Sequence, residues 1–271
     1  MTQAIPYWHV DAFSAKPFSG NQAAVMVLDD WLPDDQLVAI GAENLFAETA
    51  FVVRDATGAA DWELRWCTPT YEIALCGHAT MASGHVLLGR DGGESVTFRT
   101  RKSGILEVRK NRDMYEVGLP AIPTTPCAYP DAEALLGATP VSTYRSGAEH
   151  IGYAVFEFEN EAAIRALNPD VRGLEKLGTD QFICTAPGDD TDIVSRVFVP
   201  GGGVDEDSVT GSAHSVLTPY WAAKLGRDRV SAYQASERGG SLALRLDRRP
   251  DGNRAWLGGP CVTVVEGSFY L

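Results

Sequence analysis

Glu48 occupies a position from which a carboxyl group can exchange protons with a ligand. It directly precedes the apolar run "TAFVV", and Phe46 and Phe51 lie close to it in the sequence. At the edge of a predicted strand, beside these rings, we expect the carboxyl group to be partly desolvated, which suits it to take and return protons near neutral pH. The alternative is a solvated loop acid, which is the usual setting of a glutamate.

His78 lies in "CGHAT", residues 76–80, at the start of a predicted helix. A histidine there can hydrogen-bond a substrate or relay a proton, and a structural histidine bonded to the backbone is the alternative. Cys76 precedes it, and a thiol at a helix N-terminus can serve as a base or nucleophile. We favour a small buried cysteine, because the matching residue in the second half of the chain is Thr210.

Three acids, Asp205, Glu206 and Asp207, lie in the stretch "GGGVDEDSVTGSAH", residues 201–214. Because they are close like-charged neighbours, one of them is a candidate for holding a proton or for orienting a substrate hydroxyl or amine. The alternative is that they complement the positive end of a helix dipole.

Small residues follow these acids: Thr210, Gly211, Ser212 and Ala213. Their size lets a ligand approach the helix backbone closely, and Ser212 can donate a hydrogen bond to a carboxylate. Helix capping by serine or threonine explains the same residues, and spacing alone favours that interpretation.

The two helix starts occupy matching places in the two halves of the chain. Residues 65–89 and residues 196–226 both run from a strand through a proline and an acid-containing segment to Gly-polar-Ala and an apolar helix that ends in Leu-Gly. This order indicates a duplication. Two similar domains that face each other would direct two helix N-termini, with the amides near Gly77 and Gly211, into one cleft suited to an anion.

The hydrophobic pattern predicts the elements that carry these residues. We expect a helix over 32–45 with Leu37, Ile40, Gly41 and Leu45 on one face, a helix over 76–89 closed by Gly89, and a β-meander over 95–119. The second half is predicted to contain strands, a helical stretch broken at Asn168-Pro169, and the apolar helix after the acidic loop.

A proline-rich stretch, residues 120–130, is the best candidate for a linker. We therefore predict an N-terminal domain over 1–119, completed by 261–271, and a C-terminal domain over 120–260.

Composition excludes several classes of function. The 271 residues carry a formal net charge of -13, which disfavours nucleic acid and anionic membrane surfaces as partners but does not exclude a small anionic substrate. The sequence contains no CxxC pair, nucleotide-binding glycine motif or long apolar run, and we expect no signal peptide. We expect no metal and no disulfide framework, and a cytoplasmic protein with reduced thiols.

Several stretches together resemble the PhzF family of phenazine-biosynthesis isomerase-like proteins. They are "DAFSAKPFSGNQAAV", "AENLFAETAFV", "RWCTPTYEIALCGHAT", "EDSVTGSAHSVLTPYWAAKLG" and "VTVVEGSFYL". Several motifs in the same order over nearly the whole chain form a specific signal.

The resemblance implies an α+β fold of the diaminopimelate-epimerase type, with two similar domains that each wrap a β-barrel-like sheet around a central helix. It implies that Glu48 is the acid/base, that His78 and Asp207 assist it, and that Ser212 binds substrate with Gly77, Thr210, Gly211 and Ala213. It also implies a homodimer and a cofactor-independent isomerase acting on a small carboxylated metabolite.

Two departures bear on the substrate. Ser208 stands where the family often has proline, and a loop without that proline is less rigid. The stretch "YQASERGGSLALRL" resembles the shorter, uncharacterised members more than the phenazine enzyme itself, so the resemblance implies the mechanism class and leaves the substrate open.

Two other functions stay open at this point. One is an amino-acid racemase or epimerase that uses Cys76 with a non-thiol partner, since Thr210 stands where a second cysteine would be needed. The other is a binding protein that keeps the site without catalysis.

Overall fold

The computed structural model describes residues 3–147 and 152–271, which form two compact units. Unit 1 comprises Met1–Leu119 with Gly258–Leu271, and unit 2 comprises Pro120–Leu257. Each unit has its own sheet and its own long buried helix. In the part of the chain that the structure describes, no helix is long and apolar enough to cross a membrane.

Unit 1 is built from strands around one long helix. Its elements are β1 (Ala4–Ala12), β2 (Asn21–Val27), α1 (Asp34–Asn44), β3 (Glu48–Arg54), β4 (Trp62–Cys67), β5 (Glu72–Ile73), α2 (Gly77–Asp91), β6 (Ser95–Thr100), β7 (Ile105–Asn111), β8 (Met114–Pro120) and β18 (Cys261–Tyr270).

Unit 2 follows a similar order, with two more elements at its start and two short helices in the place of α1. Its elements are β9 (Thr125–Pro126), α3 (Pro130–Leu135), β10 (Ser142–Gly147), β11 (Gly152–Glu157), α4 (Glu161–Ala166), α5 (Val171–Glu175), β12 (Gln181–Pro187), β13 (Ile193–Val199), β14 (Val204–Asp207), α6 (Gly211–Leu225), β15 (Arg229–Gln234), β16 (Gly240–Asp247) and β17 (Arg254–Gly259), which ends in unit 1.

The strand pairing supports the duplication read from the sequence. In unit 1, β1–β2 is antiparallel, β2–β3 parallel, β3–β4 antiparallel, β4–β6 parallel and β6–β7 antiparallel. In unit 2, the pairs β10–β11, β11–β12, β12–β13, β13–β15 and β15–β16 follow the same sequence of directions. The segments between the parallel partners β4 and β6, and β13 and β15, contain α2 and α6 respectively.

Helix α2 is the centre of unit 1 because nearly all of its residues are small or apolar and buried. It contacts β1, β2, β3, β6 and β7. Gly84 permits the approach to β7, since a Cβ atom added there would lie 2.4 Å from Val108 Cγ1. Helix α6 has the same length, 15 residues, and is equally buried along its first two turns.

The structure confirms most predicted elements and corrects three details. The helical break at Asn168-Pro169 separates α4 from α5, and β6, β7 and β8 form the expected antiparallel meander. Leu45 does not join the buried face of α1; it is 80% exposed and ends the helix with a φ of 56°.

The other two corrections concern the long helices. Helix α2 continues past Gly89 to Asp91 and ends at Gly92, whose φ is 78°. The acidic segment before α6 is not only a loop, because Val204–Asp207 forms β14, paired antiparallel with β13. The turn that enters β14 depends on glycine: Gly203 has a φ of 91°, and a Cβ on Gly201 would lie 1.8 Å from the Gly178 carbonyl oxygen.

Candidate active site

Glu48, Cys76 and His78 meet at the N-terminus of α2. Glu48 is the first residue of β3, Cys76 is the N-cap of α2 and His78 is its second residue. His78 Nε2 lies 3.2 Å from Glu48 Oε2, and His78 Nδ1 lies 3.5 Å from Cys76 Sγ. The structure thus brings Glu48 next to two residues that lie 28 and 30 positions later in the sequence.

Asn21 fixes the ring of His78 from the opposite side. Its Nδ2 atom lies 3.1 Å from His78 Nδ1, and both residues are buried. In a neutral ring with its proton on Nε2, the Asn21 amide donates to Nδ1. In the imidazolium both ring nitrogens donate, so the amide turns and its oxygen accepts from Nδ1–H. Asn21 is the first residue of β2, which pairs with β1 and β3 next to the helix terminus.

One carboxylate oxygen of Glu48 makes no hydrogen bond among the described residues. Glu48 Oε2 is buried and has no partner of acceptable hydrogen-bond geometry among the described residues, although His78 Nε2 is only 3.2 Å away. We interpret the contact as an ion pair, because Coulomb attraction depends on distance rather than on the donor angle. The Glu48 side chain is still 18% exposed, so part of the carboxyl group can meet a ligand.

The protonation states follow from burial and from these neighbours. Burial alone would lower the pKa of His78, but Cys76 and Glu48 outweigh it and raise that pKa well above 6.5. Burial, with the negative charge of Glu48, raises the pKa of Cys76 to about 11. Since Cys76 is then a thiol at neutral pH, we attribute the imidazolium form of His78 to Glu48.

The corresponding place in unit 2 holds a neutral pair. Gln181 is the first residue of β12, as Glu48 is of β3, and Ser212 is the second residue of α6, as His78 is of α2. Gln181 Nε2 lies 3.0 Å from Ser212 Oγ, and Ser212 Oγ lies 3.1 Å from Gln181 Oε1. A ligand that accepts from Ser212 therefore competes with Gln181.

Capping does not explain the small residues at the start of α6. The N-cap is Thr210, not Ser212, and its side chain makes no capping hydrogen bond. Cys76 at α2 makes none either. Gly77, Gly211 and Ala213 are buried in the first turns of the two helices, where backbone N–H groups lack partners within the helix.

Gln234 holds the turn between β14 and α6. It is fully buried at the end of β15. Its Oε1 accepts from the Thr210 amide at 2.8 Å, and its Nε2 donates to the Asp207 carbonyl oxygen at 2.7 Å. One side chain thus fixes the backbone on both sides of the segment that carries Asp207.

The three acids of this segment have different surroundings. Arg172 pairs with Asp205 at 2.7 Å on the exposed surface. Arg196 binds both oxygens of Glu206, at 2.7 and 2.8 Å, so Glu206 is a structural residue. Asp207 is half-buried at the end of β14, next to the helix start. Of the three, Asp207 is the acid whose place is nearest the candidate binding residues.

Asn21, Gln181 and Gln234 were not among the predicted site residues. Each is an amide side chain at the end of a strand, and each contacts a residue at a helix N-terminus. Such side chains can satisfy a backbone or ring nitrogen without adding charge. The available signal was the position of "NQ", "QF" and "YQ" at predicted strand ends, which by itself does not identify the partner.

Comparison with known proteins gives a consistent result over the whole chain. The family described as phenazine biosynthesis-like protein matches residues 10–267. A Pseudomonas aeruginosa protein named an uncharacterized isomerase is 42% identical over 270 residues, which cover 98% of this chain and 99% of that protein.

Solved structures agree with this match. The crystal structure of a phenazine biosynthesis protein of the PhzF family from Enterococcus faecalis is similar with a TM-score of 0.89 and 38% identity, covering 99% of this chain and all of the other. A hydroxyproline epimerase from Agrobacterium vitis shares the fold alone, with a TM-score of 0.64 and 12% identity over 99% of this chain and 93% of that one. The predicted α+β, epimerase-like fold is thereby confirmed.

Proposed function

The chain belongs to the phenazine biosynthesis-like (PhzF) family, and from this premise we propose that it is an isomerase that moves a proton between carbon atoms of a small carboxylated metabolite. The observation that supports this most is the contact of Glu48 with His78 at the N-terminus of α2. The family relatives named isomerases support the same class of reaction.

Glu48 is the acid/base in this proposal. Its carboxylate takes a proton from one carbon of the substrate, and the resulting carboxylic acid returns that proton to another carbon. Because one group both accepts and donates the proton, the cycle closes without a cofactor. Positioned proton transfer of this kind contributes roughly 10²–10⁴-fold in rate.

In this proposal His78 stabilises the charge of Glu48, and the start of α2 binds the substrate carboxylate. An imidazolium close to Glu48 balances the charge of the carboxylate in a largely buried site. The amides of the first helical turn, with the positive end of the helix dipole, suit a substrate carboxylate.

We extend the proposal to unit 2 on the sequence analysis. Asp207 orients a polar group of the substrate, and Ser212 with the amides of Thr210, Gly211 and Ala213 binds its carboxylate. That these residues act on the same molecule as Glu48, in a cleft between two domains, stays a prediction, as do a homodimer and a cytoplasmic location.

The racemase alternative is less favoured by the surroundings of Cys76. A base must be deprotonated to abstract a proton, and burial raises the pKa of this thiol to about 11. The neutral residues Thr210, Gln181 and Ser212 in the matching place of unit 2 supply no second base.

The test is solvent deuterium incorporation. A panel of small carboxylated metabolites with acidic C–H groups is incubated with the protein in D₂O, and exchange and rearrangement at carbon are followed by NMR. For any responsive compound, Glu48→Gln is expected to lower the rate by roughly 10²–10⁴-fold. Glu43→Gln, at an exposed position in α1, is the matched control and is expected to keep the rate.

Two results would count against the assignment. Full turnover by Glu48→Gln would remove Glu48 as the acid/base. Loss of exchange on thiol alkylation of Cys76, with exchange at the α-carbon of an amino acid, would favour the racemase instead.

A further inference from the structure

Glu48, Cys76 and His78 form the one group of metal-ligating side chains that the structure reveals among the described residues. One carboxylate oxygen, the thiol sulfur and one ring nitrogen all lie within 4.8 Å of one another. No metal-binding spacing in the sequence predicts this group, because Glu48 is far from the other two residues in the chain.

We propose that this cluster binds a thiophilic divalent cation, with zinc as the best fit, and that the ion blocks proton transfer at Glu48. The metal is an inhibitor here and not a resident cofactor. Only the inhibition rests on the proposed function; binding of the ion rests on the cluster alone.

The nitrogen–oxygen separation matches that of a tetrahedral zinc site, and the sulfur–nitrogen separation is longer than in such a site. Zinc bonds of about 2.0–2.1 Å to nitrogen or oxygen and about 2.3 Å to sulfur, at tetrahedral angles, place nitrogen and oxygen ligands about 3.3 Å apart and sulfur and nitrogen ligands about 3.6 Å apart. The structure has 3.2 Å between His78 Nε2 and Glu48 Oε2, and 3.9 Å between His78 Nε2 and Cys76 Sγ. Cys76 Sγ lies nearer to Nδ1, at 3.5 Å, than to Nε2, so an ion on Nε2 requires the Cys76 side chain to rotate toward Glu48.

An unsatisfied oxygen supplies the second, independent observation. Glu48 Oε2 is buried without a hydrogen bond in the described structure, and its contact there is the ion pair with His78 Nε2 at 3.2 Å. A divalent cation would replace that contact with a metal–oxygen bond. Thiolate and carboxylate together carry two negative charges, so the bound ion leaves the buried cluster neutral.

The surroundings favour three protein ligands and one open position. Cys76 and His78 are almost completely buried, whereas Glu48 keeps 18% of its side chain exposed. The fourth ligand would therefore come from the side of Glu48, as water or a substrate carboxylate. Asn21 acts on the outer ring nitrogen: its amide must turn to accept from Nδ1–H, which leaves Nε2 free to bind the metal and orients the ring.

Binding releases two protons to solvent, the thiol proton of Cys76 as the sulfur–metal bond forms and the Nε2 proton of the His78 imidazolium as the nitrogen–metal bond forms. It also removes the imidazolium–carboxylate pair, because Nε2 and Oε2 then bind the ion instead. Glu48 cannot take a proton from carbon while its carboxylate is a ligand.

Cobalt(II) is the probe that tests binding without any substrate. Added to the wild-type protein, it is expected to give a thiolate-to-cobalt charge-transfer band in the near ultraviolet and strong visible d–d bands of four-coordinate cobalt. Zinc, titrated in competition with a chromophoric chelator, should displace it. Absence of the charge-transfer band in the wild-type protein would overturn the proposal.

Variants locate the site. Cys76→Ser should abolish the charge-transfer band and weaken zinc binding by roughly 100-fold, and Glu48→Gln should weaken it by a similar factor. Cys127→Ser, which removes an exposed thiol of unit 2, should change neither. A band that persists in Cys76→Ser, or disappears in Cys127→Ser, would place the metal elsewhere and refute the assignment.

The two proposals fail separately. If Glu48→Gln loses turnover and no cobalt band forms in the wild-type protein, the isomerase proposal stands and the metal site does not. If the band forms and zinc leaves turnover unchanged, the site exists but Glu48 is not the catalytic base.

Discussion

The two units place different chemistry on the same scaffold. At the junction of the third strand and the long helix, unit 1 has Glu48 beside His78, and unit 2 has Gln181 beside Ser212. The first pair can carry charge and move a proton, whereas the second can only donate and accept hydrogen bonds. The repeated architecture fixes the positions of these side chains, and in the proposed function their chemistry separates proton transfer in unit 1 from binding in unit 2.

The same comparison shows what the scaffold itself requires. Arg65 in β4 binds both oxygens of Glu72, and Arg196 in β13 binds both oxygens of Glu206. In unit 1 the pair connects β4 to the short strand β5, which precedes α2. In unit 2 the pair connects β13 to the short strand β14, which precedes α6. Because the same pair of residue types recurs in both units, a structural role explains Glu72 and Glu206 more simply than a catalytic one.

The largest expected effect comes from exchanging Glu48 and Gln181 between the two units. Glu48→Gln makes unit 1 resemble unit 2 and should reduce turnover by roughly 10²–10⁴-fold. Adding Gln181→Glu to this variant returns a carboxylate to the matching place in unit 2 but not beside His78, so we expect no recovery. NMR-monitored exchange measures both variants, and recovery in the double variant would show that the two places are equivalent.

The pH dependence of stability should separate the two helix-terminal histidines. His214, in the first turns of α6, is fully buried, and burial lowers its pKa to about 4. Because the unfolded chain then binds the proton more tightly, the stability present above about pH 6.5 is lost as the pH falls toward 4, by about 3 kcal/mol.

His78 should act in the opposite direction. Its pKa is raised above 6.5, with Cys76 and Glu48 outweighing the effect of burial. Its contribution is complete below about pH 6.5 and is lost as the pH rises through the folded-state pKa. Urea unfolding at several pH values gives the free energy of unfolding as a function of pH. His214→Asn should reduce its slope on the acid side alone, and His78→Asn should reduce its slope on the alkaline side alone. Equal slopes in both variants would contradict this.

Among the described residues of unit 1 no side chain matches Gln234, and Thr100 ends the corresponding strand β6. Gln234→Met keeps the volume but leaves the Thr210 amide and the Asp207 carbonyl without this partner, so we expect a loss of about 1–3 kcal/mol in the free energy of unfolding. Gln36→Met, at an exposed position of α1, is the control. Unchanged stability of Gln234→Met would mean that the turn does not depend on this side chain.

The smallest effect is expected at Ser212. Ser212→Ala removes its hydrogen bonds with Gln181 and should cost about 1 kcal/mol in stability. If Ser212 also binds the substrate carboxylate, KM should rise more than kcat falls, whereas the exposed Ser241→Ala should leave both unchanged. A fall in kcat alone would indicate that unit 2 takes part in proton transfer.

Much of the fold was accessible from the sequence because apolar periodicity and turn residues act locally. Helices α1, α2 and α6, the meander of β6 to β8 and the break at Asn168-Pro169 were all predicted in place. The misplaced end of α2 has a local cause as well: Gly89 is tolerated inside a helix, and Gly92, with its positive φ, is the residue that ends it.

The sequence by itself determined the residue types and their order. These include an acid before an apolar strand, a histidine at a helix start, and two matching segments half a chain apart. Local spacing cannot show which side chain meets which, because contacts between distant segments are set by strand pairing and helix packing. Only the tertiary structure decided that Glu48 lies 3.2 Å from His78, that Glu206 is held by Arg196, and that Asn21, Gln181 and Gln234 hold the helix starts.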